Sequence, residues 1–336
     1  MLEIGIIGAG SWGCALAYVL HKNGHKLTVW SALEDEVVML REHHEQKAKL
    51  PGVKLPEEIV YTTDLKEAVT GKHMLVLAVP SPFTRSTAGK MQKVVREGQL
   101  IVSVAKGIEE NTLMTLSQII QEEIPQCETA VLCGPSHAEE VGTELPTTLV
   151  AGARKRATAE LVQNTFMNEV LRIYTSPDTL GMEIGASLKN VIALAAGMAD
   201  GLGFGDNAKA ALVTRGISEM GRLALAMGAR FETVSGLTGM GDLIVTCASK
   251  HSRNRKAGYL MGRGYTMQQA MDEVNMVVEG VYSAKAAAAL AAKYQVSMPI
   301  IEQVNAVLFD GKSPREAVTE LMLRDKKPEH DDTEWE

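Results

Sequence analysis

A glycine-rich turn near the beginning of the chain constrains the fold more than any other feature of the sequence. The apolar residues 2–7 are followed at once by Gly8, Gly10 and Gly13, and a segment with helical spacing comes next. A G-x-G-x-x-G pattern between a strand and a helix is typical of a dinucleotide-binding turn. Gly8 permits the tight bend, Gly10 lets the backbone approach a pyrophosphate, and Gly13 lets the helix pack on the strand. The helix N-terminus would supply free amide donors for the phosphates.

Short apolar runs alternate with helical patterns through the first half of the chain, which favours a mostly parallel sheet with helices on both faces. From about residue 182 the apolar spacing is helical almost throughout, and capping boxes start helices at Thr266 and Ser313. The sequence predicts an α/β fold, with a Rossmann-type domain at residues 1–181 and an all-helical substrate and catalytic domain at residues 182–336. The predicted strands are residues 2–7, 26–30, 74–78, 100–104, 129–133, 147–151 and 171–174.

The composition argues against several classes of function. The 336 residues carry a formal net charge of −7, which disfavours a general nucleic-acid-binding protein. No apolar stretch reaches ~18 residues, and the N-terminus lacks the features of a signal peptide. None of the four cysteines (Cys14, Cys127, Cys133 and Cys247) forms a C-x-x-C pair, which fits a reducing compartment and disfavours a zinc site. We therefore expect a cytoplasmic protein without a metal, a membrane span or a nucleic-acid partner.

The segment after the second predicted strand bears on the choice of cofactor. Glu34 and Asp35 follow Gly13 by about 20 residues, the spacing at which an acidic side chain binds the ribose 2′-hydroxyl of NAD. A solvated acidic helix start explains them equally well. No arginine, which would suit the 2′-phosphate of NADP, lies between Trp30 and Val38. The pattern favours NAD over NADP without excluding either.

A lysine on a face of small residues is the first candidate for chemistry. Residues 183–197 have helical spacing, and Lys189 lies among alanines and a glycine. Burial there would lower the pKa of the lysine and suit it to proton transfer with a carbonyl or alcohol oxygen. The alternative is a surface lysine whose stem covers apolar neighbours.

Two segments further along the chain suggest a site for an anionic ligand. Asp242 follows a glycine-rich loop and could cap a helix, hold a lysine or bind a substrate hydroxyl. Ser252 is placed as a helix N-cap, and Arg253 and Asn254 would add donors suited to a phosphate monoester. An exposed basic loop is the alternative for residues 249–256.

Loops of the first domain add further candidates. Lys106 follows the predicted strand 100–104, and Gly134, Ser136 and His137 follow the strand 129–133. Ligands bind at the carboxyl ends of strands in such sheets. For His137 a structural or solvated role is favoured over acid–base chemistry.

Taken together, these segments resemble the bacterial type of NAD(P)-dependent glycerol-3-phosphate dehydrogenase from Gly8 to about Lys327. The resemblance is carried by G-A-G-S-W-G-C-A-L-A, V-A-K-G-I, C-G-P-S-H-A-E-E-V, E-I-G-A-S-L-K-N, G-L-T-G-M-G-D-L, S-R-N-R and V-V-E-G.

The resemblance implies roles for particular residues. Lys189 would donate and accept the proton, with Lys106 and Asp242 beside it in the catalytic set. The implied substrate site comprises Lys106, Gly134, Ser136, Lys189, Asn190, Asp242, Thr246, Ser252, Arg253 and Asn254. The implied cofactor site comprises Gly8, Gly10, Ser11, Trp12, Gly13, Lys106, Ala138, Arg253, Val277 and Glu279.

The resemblance also implies the reaction, the interconversion of dihydroxyacetone phosphate and sn-glycerol 3-phosphate, with a role in glycerophospholipid synthesis and a homodimeric assembly. Many bacterial members have Arg or His just after the tryptophan of the second strand, whereas this chain has Ser31-Ala32, which favours NAD. A β-hydroxyacid dehydrogenase of the same fold is one alternative, but Ser252–Asn254 suits phosphate better than carboxylate. A non-catalytic nucleotide-sensing module is another, and the presence of Lys189, Asp242 and Arg253 argues against it.

Overall fold

Eight strands form one sheet in residues 1–329, the part of the chain that the computed structural model describes. Their order across the sheet is β3-β2-β1-β4-β5-β6-β7-β8, and every neighbouring pair is parallel except β6 and β7. The predicted α/β fold with a mostly parallel sheet is therefore confirmed. The strands are β1 (Glu3–Ile7), β2 (Lys26–Trp30), β3 (Val60–Thr62), β4 (Met74–Leu77), β5 (Leu100–Ser103), β6 (Glu128–Cys133), β7 (Thr147–Ala153) and β8 (Leu171–Ser176).

The prediction of seven strands was wrong by one, because β3 was missed. This strand has only three residues at the edge of the sheet, where Tyr61 pairs with Val29 of β2. Val60 is 47% exposed, so the segment shows no apolar run long enough to be distinguished from a loop.

Helices cover the sheet and build the second half of the chain. Capping boxes at Thr115, Thr266 and Ser313 fix the starts of α5, α13 and α16, whose ranges are given below; the last two of these boxes were predicted. The helices are α1 (Ser11–Lys22), α2 (Glu34–His43), α3 (Leu65–Val69), α4 (Thr84–Met91), α5 (Leu116–Glu123), α6 (Ala138–Gly142), α7 (Arg156–Phe166), α8 (Thr179–Gly201), α9 (Asp206–Ala226), α10 (Phe231–Val234), α11 (Asp242–Ala248), α12 (Arg253–Gly262), α13 (Met267–Val274), α14 (Glu279–Lys293), α15 (Pro299–Phe309) and α16 (Pro314–Met322).

The strand order reverses beside β1, which lies between β2 and β4. Chain segments leave this point in opposite directions, which opens a crevice at the carboxyl ends of the strands. Gly8 sits at its floor with a φ of +125°, and a Cβ there would lie 2.8 Å from the carbonyl carbon of Ala78. Only glycine fits this close approach.

The long helix α8 joins the sheet to the helical half of the molecule. Its side chains Met182 and Ala186 pack against Val131 and Cys133 of β6, whereas its later apolar residues belong to the core of the second half. The division of the chain at residues 181 and 182 stays a prediction, and the last seven residues of the predicted second domain lie outside the described residues.

Helices α8 and α12 pack unusually closely. A Cβ on Gly197 would lie 2.1 Å from the carbonyl oxygen of Arg255, and one on Gly258 would lie 2.0 Å from that of Leu194. Because glycines occupy both contact points, the backbones touch, and the first turn of α12 is held beside the middle of α8.

No helix within residues 1–329 combines the length and the apolar character that crossing a membrane requires.

Candidate active site

Three charged side chains meet where the sheet joins the helical half. Lys189 Nζ donates to Asp242 Oδ1 at 2.8 Å and to Thr246 Oγ1 at 2.7 Å. Lys106 Nζ lies 2.5 Å from the other carboxylate oxygen, Asp242 Oδ2. One buried carboxylate thus bridges two ammonium groups. Lys189 keeps one N–H that these two hydrogen bonds do not use.

Each member of this group comes from a different element. Lys189 projects from the middle of α8, Lys106 follows β5, and Asp242 is the first residue of α11. A π-helical turn at Leu237–Gly241 precedes α11, so the N-cap residue is Gly241. The N-cap interpretation of Asp242 was therefore wrong, and its carboxylate holds the two lysines instead.

Burial and mutual charge set the protonation of the group. Lys189 is 5% exposed, and burial lowers its pKa to about 8, although the neighbouring carboxylate of Asp242 opposes the fall. Burial alone would raise the pKa of Asp242, but the ammonium groups of Lys106 and Lys189 outweigh it and hold that pKa below its usual value. Lys189 is therefore a buried lysine and not the surface lysine of the alternative interpretation.

The loop after β6 completes the surroundings of Lys106. Its ammonium group donates to the carbonyl oxygen of Gly134 at 3.0 Å and to Ser136 Oγ at 3.2 Å. Gly134 and Ser136, both predicted for the substrate site, therefore lie beside the lysine pair. His137 follows them, half-buried, and burial together with the charge of Lys189 lowers its pKa.

The predicted phosphate-binding segment forms the start of α12, which packs against α8, the helix that carries Lys189. Ser252 caps α12, with its Oγ accepting from the amide of Arg255 at 3.1 Å. Asn254 Nδ2 donates to Asn190 Oδ1 at 2.9 Å, and Asn254 Oδ1 accepts from the amide of Gly280 at 2.9 Å. Asn190 and Asn254 therefore tie α8, α12 and α14 together.

An ion cluster missed by the sequence reasoning supports the same segment. Asp200 at the end of α8 accepts from Arg255 Nη2 at 2.6 Å and from Lys209 of α9 at 2.7 Å. Arg255 lies in the S-R-N-R segment, but nothing in the sequence pairs it with an aspartate 55 residues away.

The glycine-rich turn has the shape that a dinucleotide pyrophosphate requires. A Cβ on Gly13 would lie 1.9 Å from the carbonyl oxygen of Gly8, whereas a Cβ on Gly10 would meet no atom within 4 Å. Helix α1 begins at Ser11, and its cap residue Gly10 offers no side chain to the first amides. The indole Nε1 of Trp12 is buried and has no hydrogen-bond partner within residues 1–329. An open space thus faces free donors, and the residues fit the cofactor.

Three further residues predicted for the cofactor site lie at or next to the starts of α6 and α14. Ala138 is buried at the first position of α6, and Val277 is half-buried in the loop before α14. Glu279 reaches across to the first domain, where its carboxylate accepts from the amide of Ser81 at 3.0 Å and from the Ser81 hydroxyl. Burial raises the pKa of Glu279, while these hydrogen bonds and the charge of Arg253 oppose the rise. Ser81, which was not predicted, follows β4 and could have been found by the strand-end rule.

The acidic residues considered for the ribose begin helix α2, as the alternative interpretation of a solvated acidic helix start describes. Glu34 and Asp35 are exposed in the first turn of α2. The following residue, Glu36, turns toward the end of β2, where it accepts from Ser31 Oγ at 2.6 Å and pairs with Lys49.

Comparisons with known proteins agree with this geometry. Residues 3–159 match the family model of the NAD-dependent glycerol-3-phosphate dehydrogenase N-terminus, and residues 178–319 match that of its C-terminus. The chain is 67% identical over 335 residues to the glycerol-3-phosphate dehydrogenase [NAD(P)+] of Agathobacter rectalis, covering 100% of both chains. It is 57% identical to that of Fusobacterium nucleatum, covering 98% of this chain and 99% of the relative. The crystal structure of glycerol-3-phosphate dehydrogenase from Coxiella burnetii is similar, with a TM-score of 0.93, 35% identity and coverage of 96% and 99%.

Proposed function

This chain belongs to the NAD-dependent glycerol-3-phosphate dehydrogenase family, and on that premise we propose that it interconverts dihydroxyacetone phosphate and sn-glycerol 3-phosphate. The observation that carries the proposal is the buried Lys189–Asp242–Lys106 group at the mouth of the dinucleotide crevice. A bound nicotinamide cofactor supplies the hydride to C2 of the ketone, or accepts it in the reverse direction. NAD is the favoured cofactor.

Lys189 provides the proton in this proposal. Its lowered pKa of about 8 lets the ammonium group protonate the oxygen at C2 as the hydride arrives, and lets the neutral amine take that proton back in oxidation. Lys106 adds positive charge beside the developing alkoxide, which stabilises it electrostatically. Asp242 fixes both ammonium groups.

Donors at the start of α12 bind the phosphate in this proposal. Arg253 contributes a half-buried guanidinium at the helix N-terminus, where amides and the helix dipole favour an anion. Ser252, Asn254, Asn190 and Thr246 are assigned to the same substrate site. Ser252 caps α12, Asn254 donates to Asn190 of α8, and Thr246 accepts from Lys189. Cofactor contacts are assigned to Ser11, Trp12, Ala138, Val277 and Glu279 with the three glycines of the turn.

The assay that tests the proposal follows oxidation of NADH and, separately, of NADPH with dihydroxyacetone phosphate. The wild-type protein should oxidise at least one, and Lys189→Ala should lower kcat by roughly 10²-fold or more because the proton donor is lost. Near-wild-type kcat in a folded Lys189→Ala variant would overturn the role of Lys189. Turnover of a β-hydroxyacid in place of the triose phosphate would overturn the substrate. We also propose a cytoplasmic homodimer whose product enters glycerophospholipid synthesis.

A further inference from the structure

A buried glutamate near the start of α8 lies outside the proposed substrate and cofactor sites. Glu183 is 5% exposed, its Oε1 accepts from the amide of Ser117 at 2.9 Å, and its Oε2 accepts from the Ser117 hydroxyl at 2.5 Å. Ser117 is the second residue of α5, so the carboxylate lies at a helix N-terminus, where the helix dipole favours a negative charge. The capping box of Thr115 and Gln118 is already present there. Glu183 therefore adds a second anchor, which ties the start of α5 to α8.

The segment fixed by this anchor is the end of the loop that carries Lys106. The loop begins after β5 and folds back on itself, so that Ile108 and Thr115 form an antiparallel bridge. The amide of Glu109 donates to the carbonyl oxygen of Met114 at 3.0 Å and continues this pairing. Because Ile108 is two residues beyond Lys106, a displacement at the start of α5 reaches the backbone next to the lysine.

Apolar packing relates the same loop to the same helix. Ile108 is 3% exposed and belongs to the core of the helical half, as do Ile184 and Leu188 of α8. These two residues directly follow Glu183 and directly precede Lys189. The polar anchor and the apolar core thus both place the loop against the part of α8 that ends at Lys189.

We propose that Glu183 is a positioning residue, which fixes Lys106 relative to Lys189 by holding the start of α5 against α8. This inference rests on the proposed function, because both lysines have their roles there. Glu183 and Lys189 are six residues apart on one helix, about 9 Å along its axis. The two lysines meet on the carboxylate of Asp242, so the connections from Glu183 through the loop to Lys106, Asp242 and Lys189 return to α8. Loss of the anchor frees Lys106 to move away from Asp242.

The charge of Lys106 makes its position measurable at Lys189. Burial lowers the pKa of Lys189 most, the carboxylate of Asp242 opposes this, and the charge of Lys106 lowers the pKa further. Withdrawal of Lys106 should therefore raise the pKa of Lys189. Loss of the negative charge of Glu183 itself would act in the opposite direction, since a carboxylate favours the ammonium form. The titratable groups that interact with Lys189 come from α11 and from the loops after β5 and β6, and they are Asp242, Cys247, Lys106 and His137.

Replacement of Glu183 tests the inference, with the titration of Lys189 as the readout. Glu183→Ala should lower kcat for ketone reduction about tenfold at neutral pH, because the positive charge beside the developing alkoxide is no longer fixed. The pH at which kcat begins to fall should rise by roughly one unit. Glu183→Gln should restore most of the wild-type behaviour, since its side-chain oxygen can still accept from the amide of Ser117.

Glu219→Ala is the matched control. Glu219 is also buried and also accepts from amides at a helix start, those of Ile300 and Ile301 in α15, a helix that carries no residue of the proposed site. Its replacement should lower stability and leave the pH profile unchanged. Ser117→Ala removes one hydrogen bond of the anchor at a half-buried position. It should fold and change the profile in the same direction as Glu183→Ala, by a smaller amount.

NMR of protein labelled with carbon-13 at lysine Cε measures the pKa of Lys189 without turnover, and the signal that disappears in Lys189→Ala identifies the residue. A folded Glu183→Ala variant in which this pKa is unchanged or lowered overturns the inference, and so does an equal rise in Glu219→Ala. If Glu183→Ala does not fold, Ser117→Ala decides by the same criterion. A wild type that oxidises neither NADH nor NADPH with dihydroxyacetone phosphate contradicts the proposed reaction, while the titration still decides the role of Glu183.

Discussion

Lys189 and Asp242 form a buried ion pair at 2.8 Å that joins α8 to α11, with side chains only 7% and 2% exposed. Lys189 has a pKa lowered to about 8, so its protonation changes within the range of ordinary assays. Reduction needs the ammonium form, so kcat for ketone reduction should fall as pH rises through about 8. Oxidation needs the neutral amine, so kcat for alcohol oxidation should rise through the same range. Stopped-flow measurements of reduction and of oxidation across this pH range check the prediction. Values of kcat that change in the same direction with pH for both reactions would contradict it.

Asp242→Asn should move that pH dependence to lower values. The carboxylate raises the pKa of Lys189 against burial and against the charge of Lys106, and the amide cannot do so. We expect kcat for ketone reduction to begin falling with rising pH at a value below pH 8. We also expect kcat at neutral pH to be roughly 10²-fold lower than in the wild type. If kcat of a folded variant fell at the same pH as in the wild type, Asp242 would not control the pKa of the proton donor.

Asp200→Asn should weaken substrate binding, although Asp200 does not itself contact the substrate in the proposed site. It removes the charge that fixes Arg255 and Lys209, and with it the support of the first turn of α12. We expect KM for dihydroxyacetone phosphate to rise roughly tenfold, or about 1.4 kcal/mol, with kcat within about threefold of the wild type. Asp206→Asn, at an exposed position on α9, serves as the control. Equal KM values for the two variants would exclude this supporting role.

Gly197→Ala should destabilise the protein and separate the phosphate-binding turn from α8. The added methyl group would lie 2.1 Å from a backbone oxygen of α12, so the helices must move apart, at a cost of about 1–3 kcal/mol. Gly89→Ala is the control, because its nearest neighbour is the end of a side chain at 3.2 Å. It should be neutral or slightly stabilising by helix propensity. Urea unfolding of both variants measures the difference.

Glu219 should make stability depend on pH. Its buried carboxylate accepts from the amides of Ile300 at 2.8 Å and Ile301 at 3.3 Å, and burial raises its pKa to about 7. Between the unfolded pKa near 4.3 and this value the folded state holds the extra proton, so stability falls as pH rises, by on the order of 2 kcal/mol from pH 5 to pH 8. Glu219→Gln should lose this dependence, whereas Glu232→Gln, at an exposed site, should retain it. Free energies of unfolding of the wild type and both variants at pH 5 and pH 8 measure this. A Glu219→Gln variant that loses as much stability between the two pH values as the wild type would contradict the prediction.

The parts of the fold that follow from local patterns were predictable. The glycine spacing indicated the turn at Gly8, and helical spacing indicated the helix that carries Lys189. The edge strand β3 was not predictable, because it has only three residues, of which Val60 is exposed, and so short a run carries too little apolar signal.

Side-chain contacts between residues far apart in the chain could not be predicted from the sequence. Lys106 and Asp242 meet across 136 residues, and only the tertiary fold brings the loop after β5 to the first residue of α11. Glu36 differs from its neighbours Glu34 and Asp35 by about 100° of helix rotation per residue, and the sequence does not reveal which direction faces β2.

Helix α8 is anchored to the sheet by Met182 and Ala186 and presents Lys189 one turn later. Inserting a single residue between Ala186 and Lys189 would leave the anchor in place but turn the lysine by about 100° away from Asp242. The length of this short stretch is therefore under direct functional constraint. Gains and losses of residues in descendants of this sequence should collect in the surface loops and avoid this interval.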